Sequence, residues 1–187
     1  GIELIFQESI RVNNEDDDDH HHDTAFIDST VQEKNITYPT DAKLHKKIVK
    51  KVLGIVKKHG LPLRQSYTFV LKAICRDQRF RNHPKNRQKA LKADRQLKTI
   101  AGRLVRELER NLEGRNGYEK MFELYYKVLS QNRKSKNKIY SLHEPDVVCI
   151  SKGKEHKKYE FGNKVSILRS WSGLILGACS FRNEYDG

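Results

Sequence analysis

The spacing of hydrophobic residues changes along the chain, from a helical period in the middle to an alternating period near the end. The first helical stretch follows Thr40 or Asp41, either of which can cap it, and Gly60 and Pro62 end it. Its apolar positions fall on one face, at Leu44, Ile48, Val52 and Ile55. This pattern predicts an amphipathic helix that buries one side.

Three further helices are predicted, over Leu63 to about Phe80, about Arg87 to Leu112, and Tyr118 to Gln131. Each carries apolar residues at helical spacing, and four such helices can cover one another's apolar faces. We therefore expect a mostly helical subdomain over residues 41–138, ending in the basic linker "NRKSKNK".

Strands are predicted on both sides of this helical subdomain. The segment "TAFIDSTV", within residues 24–40, is apolar and β-branched on both faces, as is typical of a central strand covered on both sides. Within residues 139–187 a short strand is expected over Val147–Ser151. Two long strands follow, Tyr159–Arg169 and Leu174–Phe181, joined by a turn. The predicted fold class is α+β.

Residues 1–23 divide into a short predicted helix, Gly1 to Asn13, and the tract "NNEDDDDHHHD". The tract has no apolar face, so a disordered linker is predicted. Metal binding is the weaker interpretation, because an unstructured Asp and His tract chelates without fixed geometry.

The charge balance narrows the class of partner. The chain has 187 residues, a formal net charge of +13 and a sequence pI of about 9.6. This excess indicates a polyanionic partner such as nucleic acid. Plain solubility is the rival explanation, and a ribosomal or RNA-binding protein would have a similar composition.

The cysteines and the apolar runs bear on two other classes of protein, those with disulfide or zinc sites and those that span a membrane. Cys75, Cys149 and Cys179 are far apart and lack CxxC spacing. This favours reduced thiols of an intracellular protein over a disulfide framework or a zinc site. The longest apolar run, Gly173 to Cys179, is too short to cross a membrane.

Positive residues are dense between Lys72 and Lys98, where only Asp77 and Asp94 oppose them. Such density suits neutralisation of phosphate groups, which gives affinity without reading sequence. A solvated helical face is the plainer alternative. The candidate DNA-binding residues are Arg76, Arg79, Arg81, Lys85, Arg87, Lys89, Lys92 and Arg95, with Lys154 and Lys164 beside the strands.

Asp28 lies where the first predicted strand passes into polar residues. A carboxylate at a strand end is well placed to hold Mg²⁺. Phosphodiester cleavage by two metal ions needs more than one such acid, however. An aspartate that caps the following turn is the plainer interpretation.

Three segments of the chain are specific enough to compare with known families: "DSTVQEKNITYPTDAKL", "SLHEPDVVCISKGKEHKKYEFGNKVSI" and "GLILGACSFRNEYDG". They resemble, in the same order, blocks of the DDE transposases of bacterial insertion sequences, most of all the IS-five-like group. The resemblance implies a partial RNase H-like mixed sheet, comprising its first three strands, with a helical insertion between strands one and two. The strands Tyr159–Arg169 and Leu174–Phe181 would be its second and third, antiparallel to their neighbours. It also implies metal-dependent DNA cleavage and strand transfer, with Mg²⁺ or Mn²⁺ as the cofactor.

Asp28 matches the first catalytic and metal-binding aspartate of that family. The family's second aspartate lies in a block similar to "DRGYRG", and its glutamate lies on a later helix. Neither is found in this sequence, which opens with Gly1 and has Met121 as its only methionine. We therefore interpret the chain as a transposase fragment that is inactive alone.

The resemblance further implies particular partners and a location. We expect the element's terminal repeats and target DNA as ligands, self-association on DNA, no membrane, and a bacterial cytoplasmic location with the nucleoid. The alternatives are a non-enzymatic DNA-binding helical module and a non-functional transposase remnant.

Overall fold

The computed structural model of the protein describes residues 2–14, 24–151, 155, 156 and 158–181. These residues fall into two compact units, one within Gly1–Ile36 and Asp146–Gly187, the other within Thr37–Pro145. The α+β class is confirmed. The helices and strands are α1 (Ile2–Asn14), β1 (Ala25–Glu33), α2 (Asp41–His59), α3 (Thr68–Asp77), α4 (Pro84–Asn111), α5 (Glu119–Ser130), β2 (Val148–Ser151), β3 (Tyr159–Ser170) and β4 (Ile175–Phe181).

Both predicted ends of α2 are confirmed. At the start, the Thr40 hydroxyl accepts a hydrogen bond from the Lys43 amide at 3.2 Å. At the end, Gly60 adopts a left-handed conformation with φ of 60°. The Leu61 amide then donates to the Val56 carbonyl at 3.0 Å, which closes the last turn.

The core of the helical unit is built on α4, the longest helix, which contacts α2, α3 and α5. Its apolar stripe is confirmed, and Ala101, Leu104 and Val105 are fully buried. The second predicted helix is shorter than expected, since α3 begins only at Thr68 and ends at Asp77. In the segment before it, the Arg64 amide donates to the buried carboxylate of Glu107 at 2.5 Å.

Gln131 closes this unit after α5. Its side-chain amide is buried and exchanges two hydrogen bonds with the backbone of Ile139, at 2.9 and 3.1 Å. It also donates to Asp41 at the start of α2, at 3.0 Å. The Lys138 ammonium lies 2.9 Å from the same Asp41 carboxylate. These contacts hold the end of the predicted linker against α2.

The sheet is organised around β3. Strand β1 pairs along one edge of β3, and β2 and β4 pair along the other edge. All three pairings are antiparallel, so the mixed sheet expected from the resemblance is not observed in the residues that the structure describes. The predicted hairpin of β3 and β4 is present.

The prediction that β1 is a covered central strand is wrong within this part of the chain. Its described pairing is with β3 alone, and Ile27 is 73% exposed. An apolar, β-branched composition indicates a strand but does not report what covers it. The two strands approach closely at Gly162, where a Cβ atom would lie only 2.0 Å from the Gln32 carbonyl oxygen.

Candidate nucleic-acid interface

Helix α2 carries seven lysines and a single acid, Asp41. Six of the lysines are exposed and have no hydrogen-bond or ion-pair partner among the described residues. At 3.6 residues per turn they occupy an arc of roughly 140° on the side opposite the buried residues. These six define the α2 lysine face: Lys46, Lys47, Lys50, Lys51, Lys57 and Lys58.

The opposite side of α2 fixes this face in place. Ile48 and Val52 are fully buried against the rest of the helical unit. The helix of 19 residues is about 28 Å long. Duplex DNA carries one negative charge for about every 1.7 Å of its axis, so a helix of this length can reach several phosphates.

The sequence analysis predicted the buried face of α2 but not its lysines, because it assigned DNA contacts to the stretch between Lys72 and Lys98 and to residues beside the strands. The available signal was the periodicity itself. On α2, the apolar and basic residues alternate at helical spacing, so the pattern that predicted a buried face also predicted a basic one.

The predicted basic residues of α3 and α4 divide into two groups. Arg81 lies 2.7 Å from Asp94, and Lys89 lies 3.1 Å from Asp77, so an acid already compensates each charge. The others are exposed, and the described residues give them no such partner: Arg76, Arg79, Lys85, Arg87, Lys92 and Arg95.

Seven basic residues lie along one side of α4, whose 28 residues span about 42 Å. The sequence analysis named candidate DNA-binding residues on this helix only as far as Arg95, so it missed the last three of these seven. All seven are exposed. They form the α4 basic stripe: Lys85, Lys89, Lys92, Arg95, Arg103, Arg106 and Arg110. Arg87 points to a different side of this helix.

The two candidate DNA-binding residues beside the strands, Lys154 and Lys164, are not supported in the same way. Lys164 is half-buried in β3, opposite Val31 of β1. Because side chains alternate along a strand, it lies on the other sheet face from Asp28. Lys154 falls outside the described residues, as does the acidic and histidine tract from residue 15 to residue 23.

Asp28 is the fourth residue of β1, which continues to Glu33, so the predicted strand-end position is wrong. It lies directly opposite Ile167 of β3, and Phe26 and Thr30 share its face. The side chain is exposed and has no hydrogen-bond or ion-pair partner in the described part of the chain. It is neither buried nor a turn cap.

The described residues do not complete a Mg²⁺ site around Asp28. A hard cation needs several oxygen ligands, whereas the register places Ile167 opposite Asp28 and the positively charged Arg169 two residues farther along the same face. Among the described residues, no group of three or more His, Cys, Asp or Glu side chains could hold a metal ion. Asp28 by itself therefore supports no catalytic step.

A buried histidine lies on the packed side of α2. His45 is 4% exposed, and neither ring nitrogen has a hydrogen-bond partner among the described residues, although the Val128 backbone lies nearby. Burial, and then the positive charge of Lys98, lower the pKa of His45 below its usual 6.5. The neutral ring therefore belongs to the core of the helical unit.

All three cysteines lie in the described residues, and none of them forms a disulfide there. No helix in this part of the protein is long and apolar enough to cross a membrane.

The comparisons with known proteins give one match. A segment of 55 residues is 46% identical to an uncharacterized protein, ORF8 in the nfe locus, of Rhizobium meliloti. The segment is 29% of this chain and 27% of that protein, so the match spans about a quarter of the relative's length. No protein-family model and no solved structure matches. These comparisons show no family, and the transposase resemblance stays a prediction.

Proposed function

We propose that this protein binds DNA through the α2 lysine face and the α4 basic stripe, as part of a DDE transposase of a bacterial insertion sequence. The observation that carries the proposal is the α2 lysine face, whose six exposed lysines have no compensating acid among the residues that the structure describes. Solubility alone does not require such a concentration of one sign on a single face, since mixed charges serve it as well.

The chemistry of the α2 lysine face is that of phosphate contact. Lysine ammonium groups are flexible point charges that neutralise phosphates, and they offer no fork geometry for reading base edges. Binding through them is therefore largely independent of sequence and weakens steeply as salt is added. The terminal repeats and target DNA are the ligands that the transposase resemblance implies.

The catalytic part of the proposal rests on the resemblance, and the sheet is compatible with it. Strands β1, β3 and β4 pair antiparallel in succession, as the first three strands of an RNase H-like sheet would. Asp28 is exposed and unpaired among the described residues, so it is available to supply one carboxylate to a Mg²⁺ or Mn²⁺ site. Because one carboxylate cannot hold two metal ions, the chain alone should not cut DNA.

Two measurements on the purified chain test this proposal. Fluorescence anisotropy with a labelled duplex, repeated between 50 and 200 mM salt, should show affinity that falls by orders of magnitude, by about 10³ for six phosphate contacts. Affinity that does not respond to salt would overturn the binding proposal. Incubation of terminal-repeat DNA with Mg²⁺ or Mn²⁺ should give no nicking. Reproducible nicking that the Asp28→Ala variant loses would contradict the expectation of inactivity.

A further inference from the structure

A third basic feature of the helical unit is concave. Helices α4 and α5 flank a groove of about 650 Å³, which is within the range of small-molecule sites. No acidic side chain is among the described residues that line it. The polar lining comprises Lys98, Thr99, Arg106, Tyr126, Lys127 and Ser130.

The three cations of the groove are available to a ligand. Lys98, Arg106 and Lys127 are exposed, and the described residues offer them no ion pair or hydrogen bond. Gly102 lies between Lys98 and Arg106 on α4 and is buried. A Cβ atom at Gly102 would lie 3.4 Å from one guanidinium nitrogen of Arg106, so the missing side chain leaves the guanidinium room against the helix.

Tyr126 lines this groove and also contacts an acid outside it. Its hydroxyl donates to the Glu109 carboxylate, which lines a different groove. Burial, and then this contact with Glu109, raise the pKa of Tyr126 to about 12, so the phenol is neutral at physiological pH. The Tyr126 ring and Leu129 add an apolar surface beside the cations.

We propose that this groove binds the phosphate monoester of a nucleotide, namely the terminal 5′-phosphate of a DNA strand; this rests on the proposed DNA binding. A monoester carries about −1.5 to −2 charges at neutral pH, whereas a backbone diester carries only one. Three cations that line one groove favour the monoester, and the apolar wall suits the attached sugar or base. The Thr99 and Ser130 hydroxyls donate within their own helices, at 3.1 and 3.0 Å, so the cations provide the recognition.

The test compares two labelled duplexes of one sequence, with a 5′-phosphate or a 5′-hydroxyl end. The full chain should bind the phosphorylated duplex about tenfold more tightly, the effect of one charge-assisted hydrogen bond at a partly exposed site. Lys127→Gln should bring the two affinities together. Lys120→Gln is the matched control, because Lys120 is exposed on the same helix but does not line the groove. This control should keep the preference.

A second experiment distinguishes the phosphate of a DNA strand end from that of a free nucleotide. Free dAMP should compete with the phosphorylated end only at concentrations far above those of the duplex. If dAMP binds as tightly as the phosphorylated end and Lys127→Gln abolishes both, the groove recognises free nucleotides and the strand-end proposal is overturned. Equal affinity of the two duplexes for the unmodified protein also overturns it. In that case salt-dependent binding of both duplexes would leave the proposed function intact.

Discussion

Replacing three lysines of the α2 lysine face with glutamine tests the main DNA contact. Lys46, Lys50 and Lys57 lie at adjacent angles on the exposed side of the helix. Glutamine has nearly the helix propensity of lysine, so the triple variant should fold normally. The buried side of α2 is unchanged, and the variant loses only three positive charges.

The size of the effect follows from counterion release. Each lysine that neutralises one phosphate contributes about 0.9 to the slope of log affinity against log salt, so three contribute up to about 2.7. At about 0.1 M salt, relative to 1 M, this corresponds to a loss of affinity of up to roughly 10²–10³-fold. A smaller change would mean that only some of the three lysines reach a phosphate.

The assay is anisotropy of a labelled duplex at several salt concentrations, with a variant of equal charge as the control. Lys120, Lys134 and Lys136 are also exposed lysines of the helical unit, and they lie outside both basic surfaces. Their triple glutamine variant should change the slope by less than about 1, the effect of a single contact. Equal losses in the two triple variants would refute the reasoning, since binding would then follow net charge rather than the α2 lysine face.

Three further predictions concern stability. Leu104→Ala removes a side chain that is 0% exposed and should lower the free energy of unfolding by about 3 kcal/mol in urea titrations, with unchanged stability as the contrary result. The depressed pKa of His45 means that the unfolded chain binds the proton more readily. Stability should therefore be full above pH 6.5 and fall as the pH drops below it, and His45→Leu should reduce that fall. Gly162→Ala should break the pairing of β1 with β3, seen as faster amide exchange in β1, because the new Cβ atom would collide with the Gln32 carbonyl; unchanged exchange would argue against this close approach.

Local signals in the sequence predicted most of the secondary structure. Thr40 and Gly60 fixed the ends of α2 because capping chemistry acts over a few residues. The turn before Leu174 likewise indicated the hairpin of β3 and β4. The second helix was predicted to begin too early: the segment before Thr68 is held by a contact from Arg64 to Glu107, which joins residues far apart in sequence.

The candidate site was harder to predict, for two physical reasons. Asp28 was expected at the end of a covered strand. Its neighbours across the sheet belong to β3, however, and only the strand register identifies them. The lysines of α2 were overlooked because the apolar residues between them already explained the helix. A helix that packs on one side still presents the other to a ligand, and its charge must be read separately.

Chemical footprinting of lysines tests most directly whether DNA lies on the α2 lysine face. The chain is acetylated briefly with and without excess duplex DNA, and mass spectrometry gives the rate at each lysine. We expect DNA to slow the acetylation of Lys46, Lys50 and Lys57 several-fold, while Lys120 and Lys134 react at unchanged rates. Protection confined to other lysines, or spread evenly over the chain, would contradict the account.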